Sequence, residues 1–243
     1  MGGWRDADGS KRRNLEISHI IHCFARKNVV YFPVQHSKGS DHMNIVYGLL
    51  CAVLGYLIGS VSVSILLSRF VFGNDVRKQG SGNAGAANVA RVMGFGAGAL
   101  TFLGDFLKGV LAMWLGRLLY GELGLCIAGV ACLLGHCFPI YFRFKGGKAV
   151  STGAAVAMML DWRLFLIAIA AFVLMALIFR RASVSSMTAA VAVAVCAPFF
   201  THEPVHLVLS TFAALLILVM HQANIRRLIK GTEPKFHFGH RKA

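Results

Sequence analysis

Three stretches of this 243-residue chain combine glycines with cations, hydroxyls and amides: GSGNAGAANVAR (80–91), GHCFPIYFRFKGGKAVST (135–152) and HQANIRRLIKGTE (221–233). In the first, Gly80, Gly82 and Gly85 let backbone amides turn toward a ligand, the arrangement of an anion-binding nest. Ser81, Asn83 and Asn88 add hydrogen-bonding groups, and Arg91 adds a planar fork suited to phosphate. The spacing is not that of a nucleotide P-loop. Taken alone, the stretch also reads as a flexible connector, because Gly and Asn are favoured in turns.

In the second stretch Lys145 and Lys148 flank Gly146 and Gly147, so an oxyanion can sit between two ammonium groups on open backbone. A helix starting near Ala149 would add its N-terminal amides at the same spot. The plainer reading is a basic loop on the cytoplasmic side of a membrane. In the third, His221 and Asn224 are three apart and share a helix face, and Arg227 is three further on. His221 is either a site residue or an interfacial histidine at the end of a span, and Glu233 is either a tail residue or an ionic latch. Ser183, after Arg180 and Arg181, stands where a helix cap would. Asp105 and Lys108, three apart inside an apolar run, read as a structural pair that neutralises itself.

These loops must be positioned by membrane helices. Hydrophobic residues make up 56% of the chain and charged residues 14%, and the mean hydropathy is +0.64, which together exclude an ordinary water-soluble domain. The pattern predicts an all-α, polytopic integral membrane protein with about seven transmembrane helices. They span Ile45 to Phe72, Ala99 to Tyr120, Leu123 to Phe142, Ala149 to Leu160, Leu164 to Phe179, Ser185 to Phe200 and Val205 to Met220. The fourth would be only about 18 Å long, so a segment there should line a polar cavity rather than meet lipid alone. The formal charge of +15 reflects cations scattered between apolar spans, with no aromatic-interleaved basic face for nucleic acid. The cysteines lack metal-ligand spacing and read as packing residues.

Cations of the connecting segments cluster on one side: Arg77, Lys78 and Arg91, Arg143 to Lys148, Arg180 and Arg181, and the tail. The other side has Arg117 and Arg163. The N-terminus is therefore expected outside and the C-terminus in the cytoplasm. Residues 1–43 read as a basic, disordered extension that conflicts with this orientation, which favours a natural start near Met43. Residues 44–236 read as the membrane domain and 237–243 as a cytoplasmic tail. All the glycine-rich stretches then fall on the cytoplasmic side, which points to a phosphate-handling site there. No G-x-S-x-G elbow and no carboxylate cluster for Mg²⁺ is present, so the protein should give little covalent help.

In order and spacing the three stretches, with GDFLKG (104–109), resemble the signature segments of the bacterial PlsY family, membrane glycerol-3-phosphate acyltransferases that use acyl-phosphate. The resemblance covers about Asn44 to Phe236. It implies a seven-helix enzyme of the bacterial cytoplasmic (inner) membrane, with acyl transfer to the 1-hydroxyl of glycerol 3-phosphate, no cofactor or metal, and no obligatory protein partner. By the resemblance Ser81, Asn83 and Arg91 match the first motif, Lys145, Gly146, Gly147 and Lys148 the second, and His221 and Asn224 the third. Ser183 matches a serine near the glycerol phosphate, and Glu233 an acid of structural role. Ser81, Arg91, Lys145 and His221 are the expected catalytic residues, and direct attack without an acyl-enzyme is the expected mechanism. Ala149 and Ala87 depart from the family's usual glycine and threonine. The rival reading is a small anion transporter or channel, against which stands the lack of internal repeats. Donors such as acyl-CoA or acyl-carrier protein would want a larger docking surface.

Overall fold

The structure, a computed structural model, describes residues 41–235. The readings placed on residues 1–40 and 236–243 fall outside the described residues. Every regular element among the described residues is helical. The first predicted span is two helices, α1 (Asp41–Ser60) and α2 (Val63–Phe70), interrupted at Val61 and Ser62. The break is tolerated because the carbonyl freed at Val61 accepts a hydrogen bond from Lys108 Nζ. An unpaired carbonyl in apolar surroundings would be costly.

After α2 comes a loop with a short 3₁₀ turn (Val76–Lys78), then α3 (Ala86–Met93) and the long α4 (Phe95–Cys137). α4 contains two of the predicted spans, folded against each other at Tyr120 and Gly121. Gly121 has φ +58 and ψ −147, a conformation that side chains beyond glycine's avoid. Just inside the bend Gly116 and Gly124 touch backbone to backbone. Glu122 accepts from both Arg117 and His206 at 2.8 Å, which ties the bend to the following helices.

Four further helices complete the membrane domain: α5 (Val150–Leu160), α6 (Trp162–Phe179), α7 (Ala182–Phe200) and α8 (Pro204–Met220). A short α9 (Gln222–Ile229) leaves α8 at 54°. By length and composition, four helical stretches among the described residues can cross a bilayer, or five if α8 and α9 form one bent span. α5 has 11 residues, about 16 Å at the helical rise, and is shorter than the hydrocarbon core.

The apolar residues are distributed as lipid requires. Met113, Leu125, Leu133, Val156, Leu209 and Ile217 fill the core between α4, α5 and α8. Many other large apolar residues, such as Leu111, Leu174, Leu177, Val195 and Val208, face outward. α6 is the extreme case, with only 11% of its most apolar window buried. Because lipid supplies no hydrophobic drive between helices, close packing has to hold them. α1 meets the second arm of α4 through Gly55 against Ala128 and Gly59 against Cys132, while Gly135 meets the backbone of Tyr56.

The loop between α4 and α5 is the most strained. Arg143, Phe144 and Ala149 all have φ near +58, in the left-handed region, although none is glycine. Each such residue costs on the order of 1–2 kcal/mol. Arg77 compensates in part: Asp75 grips it at Nε and Nη2, and its Nη1 donates to Phe142 O at 2.9 Å and Lys145 O at 3.4 Å.

Gly59→Val would drive its Cβ into the Cys132 backbone, and overpacking of this kind costs about 1–3 kcal/mol. Its thermal midpoint in detergent should fall, whereas Gly48→Ala, with only Ile127 Cδ1 at 3.7 Å in the middle of α1, should not lower it. Ala149→Gly relieves left-handed strain, and even after the added freedom of the unfolded chain it should stabilise by roughly 0.5–1 kcal/mol. The same melting measurement checks it.

Candidate active site

The three glycine-rich stretches lead to one cavity of about 510 Å³. Its polar end is lined by Ser81, Asn83, Asn88 and Arg91 from the first, by Lys148 and Ser151 from the second, and by His221, Asn224, Arg227 and Glu233 from the third. Ser183, at the start of α7, joins them. Small and apolar residues make up the rest, among them Gly98 and Ala99 on α4, Gly153 and Ala154 on α5, Ala189 and Val193 on α7, and Ala213 and Ala214 on α8. Phe95, Phe102, Phe165 and Phe172 border it where α4 and α6 face lipid.

Asn88 shapes the first stretch. Its amide donates to Val76 O, Gln79 O and Asn83 O at 3.0–3.1 Å, and its Oδ1 accepts from Ser81 N at 2.8 Å. Buried to 2% exposure, it is the internal brace of the loop more than a free donor. Gly80 and Gly82 turn the chain with φ of +58 and +72, and a Cβ on Gly80 would collide with Asn88. The loop thereby presents Ser81 and Asn83, with Arg91 following one helical turn after Asn88.

The second stretch differs from the expected open cradle. Gly146 N donates to Cys137 O at 3.1 Å and Gly147 N to His136 O at 3.0 Å, so these amides are already used. The two glycines permit close approach instead: a Cβ on either would strike the end of α4, at His136 O for Gly146 and at the His136 ring for Gly147. Lys145 is exposed and does not line the cavity, whereas Lys148 does and donates to Asn224 Oδ1. A one-turn offset between two lysines is not visible without the path of the loop.

Glu233 organises the third stretch. It accepts from Ser183 Oγ at 2.7 Å, from Asn224 Nδ2 at 2.6 Å and from Arg227 Nε at 2.7 Å. Burial works against its charge, but the hydrogen bonds from Asn224, Ser183 and Arg227 outweigh that and hold its carboxyl below the ordinary range. It thereby fixes the tail against α7 and α9. Lys148 feels the opposite balance: burial, helped by Arg227 and Arg91 and opposed by Glu233, brings its pKa down to about 8. Among the charged residues lining the cavity three are cations and one is an acid, so the empty site has an excess of positive charge.

His221 is buried, and its Nδ1 lies 2.7 Å from Ile217 O. A carbonyl can only accept, so the proton is on Nδ1 and Nε2 is left as an acceptor. Asp105 and Lys108 are not among the residues that line the cavity; they lie 2.7 Å apart as an ion pair. Lys108 Nζ is also 3.1 Å from His136 Nδ1. His136, which does line the cavity, lay within the second stretch but had no spacing partner in sequence to mark it. Arg77, which joins the first two loops, was legible only as a cytoplasmic-side cation. No group of three or more His, Cys, Asp or Glu residues fit to hold a metal exists among the described residues.

The chain and its helical architecture are similar to those of known proteins. A family model described as glycerol-3-phosphate acyltransferase matches residues 49–231. The chain is 38% identical over 190 residues to the glycerol-3-phosphate acyltransferase of Thermoanaerobacter pseudethanolicus, covering 78% of this chain and 96% of that protein. It is 42% identical over 192 residues to that of Mesorhizobium japonicum, covering 79% and 97%. Among solved structures it resembles the integral membrane glycerol 3-phosphate acyltransferase PlsY in its glycerol 3-phosphate form, with a TM-score of 0.75 and 32% identity over 78% of this chain and 96% of that one. The lysophosphatidic acid form of PlsY gives a TM-score of 0.72 at 30% identity, covering 78% and 95%. With nearly the full length of these relatives matched, and with their helical architecture shared, the chain belongs to the glycerol-3-phosphate acyltransferase family.

Proposed function

We propose that this chain transfers an acyl group from an acyl phosphate to the 1-hydroxyl of glycerol 3-phosphate, giving lysophosphatidic acid and inorganic phosphate. The observation that carries the reading is the single cavity in which Arg91, Lys148 and Arg227 meet an apolar interior. An acyl phosphate is an activated mixed anhydride, so positioning and charge stabilisation are the main tasks left to the protein. Ser81, Asn83 and Arg91 hold the acyl-phosphate group. Lys148, Ser183 and Asn224, with Arg227 beside them, hold the phosphate of the acceptor. Lys148 fills the role that the sequence suggested for Lys145, which helps to draw anions to the mouth. The acyl chain lies along the small-residue walls, each buried CH₂ contributing about 0.8 kcal/mol.

The acceptor hydroxyl donates a hydrogen bond to His221 Nε2, which aims an oxygen lone pair at the acyl carbon. The new C–O bond forms as the carbonyl π pair moves onto oxygen; when that pair returns, the bond to phosphate breaks and the phosphate departs with its electrons. The hydroxyl proton moves onto Nε2 and leaves with the phosphate. Glu233 acts by holding Ser183, Asn224 and Arg227 in place. The family's membrane character and the cation distribution support a bacterial inner-membrane enzyme with this mouth in the cytoplasm, the side on which phosphorylated metabolites are found. The small-anion transporter is not favoured, because the relatives are acyltransferases by name.

Purified protein given labelled glycerol 3-phosphate should form lysophosphatidic acid with acyl phosphate and not with acyl-CoA or acyl-carrier protein; product from either of the latter alone would overturn the donor assignment. Lys148 supplies a pH dependence. Burial disfavours its ammonium, so the empty site loses that proton near pH 8, while a bound phosphate dianion favours it. Affinity for glycerol 3-phosphate should therefore be flat with respect to this group below pH 8 and weaken above it. Calorimetry in buffers of different ionisation heat should detect proton uptake on binding above pH 8, absent in Lys148→Met.

A further inference from the structure

Among the described residues, His136 is the one titratable residue lining the cavity to which the reaction above gives no task. It is 4% exposed, ends the second arm of α4, and lies beneath the Gly146–Gly147 turn that leads to Lys148. Its carbonyl accepts from Gly147 N, which fixes the turn. Its ring is fixed from the other side. Lys108 lies 2.7 Å from Asp105 Oδ1 and 3.1 Å from His136 Nδ1. Lys108 Nζ donates to Val61 O and pairs with Asp105 as an ammonium, which can only donate, while Asp105 Oδ1 at 3.7 Å is beyond hydrogen-bond reach of Nδ1. Nδ1 therefore accepts, and the ring's proton is on Nε2. That nitrogen makes no hydrogen bond among the described residues; it packs against Gly147, whose missing Cβ makes room for the ring, and His136 is among the residues that line the cavity.

The cavity thus holds two buried histidines of opposite tautomer. His221 donates through Nδ1 to Ile217 O and offers Nε2 as an acceptor. His136 accepts at Nδ1 and offers Nε2–H as a donor. Acyl transfer needs one of each: an acceptor for the attacking hydroxyl and a donor for the oxygen that gains charge as the carbonyl is attacked. We propose that His136 is a further catalytic residue, its Nε2–H donating to the carbonyl oxygen of the acyl substrate as that oxygen becomes negative. Asp105 and Lys108 are positioning residues that act through it by fixing its tautomer. This rests on the acyl-transfer reading. In the step itself the hydroxyl oxygen bonds to the acyl carbon and the carbonyl π pair moves onto the oxygen facing His136. When that pair returns, the bond to phosphate breaks and phosphate leaves with its electrons. No proton is transferred from His136.

The test has two arms. In protein with ¹⁵N-labelled histidine, assigned by single His→Gln variants, NMR should find His136 protonated at Nε2 and bare at Nδ1, and His221 the reverse. A proton on Nδ1 of His136 overturns the proposal whatever reaction the protein runs. In steady-state kinetics His136→Ala should lower kcat by about 10²- to 10³-fold, the loss typical of one oxyanion donor, with little change in KM for either substrate. His136→Gln, whose amide can still donate, should recover part of it. A loss confined to KM, or an unchanged kcat, overturns the proposal. Should His136→Ala fail to fold, the charge-neutral pair Asp105→Asn with Lys108→Met frees the ring to change tautomer and should lower kcat with glycerol 3-phosphate binding retained. If no acyl donor gives product with the unaltered protein, it is the acyl-transfer reading that fails, and the tautomers are still decided by the NMR arm.

Discussion

Apolar surroundings give backbone polar groups nothing to bond to, so every non-helical turn near the membrane must be satisfied from within. This constraint explains why so few polar side chains hold so much of the molecule together. Asn88 closes the first glycine-rich loop by bonding four backbone groups. Arg77, aligned by Asp75, reaches carbonyls of the second loop. Lys108 takes the carbonyl freed where α1 gives way to α2. Without these side chains the loops could not approach the cavity as irregular backbone, and the helices would have to continue.

The same economy shapes the electrostatics. Glu233 joins α7, α9 and the tail through Ser183, Asn224 and Arg227, and Asn224 passes the contact on to Lys148. One carboxylate therefore orders the groups around it without cancelling their charge. Arg91, Lys148 and Arg227 keep an excess of positive charge at the site, a field that attracts anions. Deeper in, alanine and glycine on α4, α5, α7 and α8 keep the walls apart where larger residues would fill the space.

Much of this was legible in the sequence. Apolar runs marked the helices because a bilayer demands about twenty such residues, and the glycine-rich cationic stretches marked the loops. Ser81, Asn83, Arg91, Lys148, Ser183, His221 and Asn224 all line the cavity, and Asp105 pairs with Lys108. The resemblance to the family marked Ala149 as a departure, and its left-handed φ of +59 gives the physical ground on which glycine would be preferred there. Less was visible where chain direction matters. Lys145 and Lys148 look equivalent in FKGGKA, yet the turn exposes one and buries much of the other.

What the sequence determined by itself is the class of molecule and the kind of ligand, since hydropathy and local charge are properties of short segments. Only the tertiary structure decided which residues share a cavity, that the amides of Gly146 and Gly147 are already bonded, and which nitrogen of His136 or His221 carries a proton. Those features depend on hydrogen-bond partners 4 to 28 residues away or further along the chain, and a linear pattern does not state which distant groups will meet.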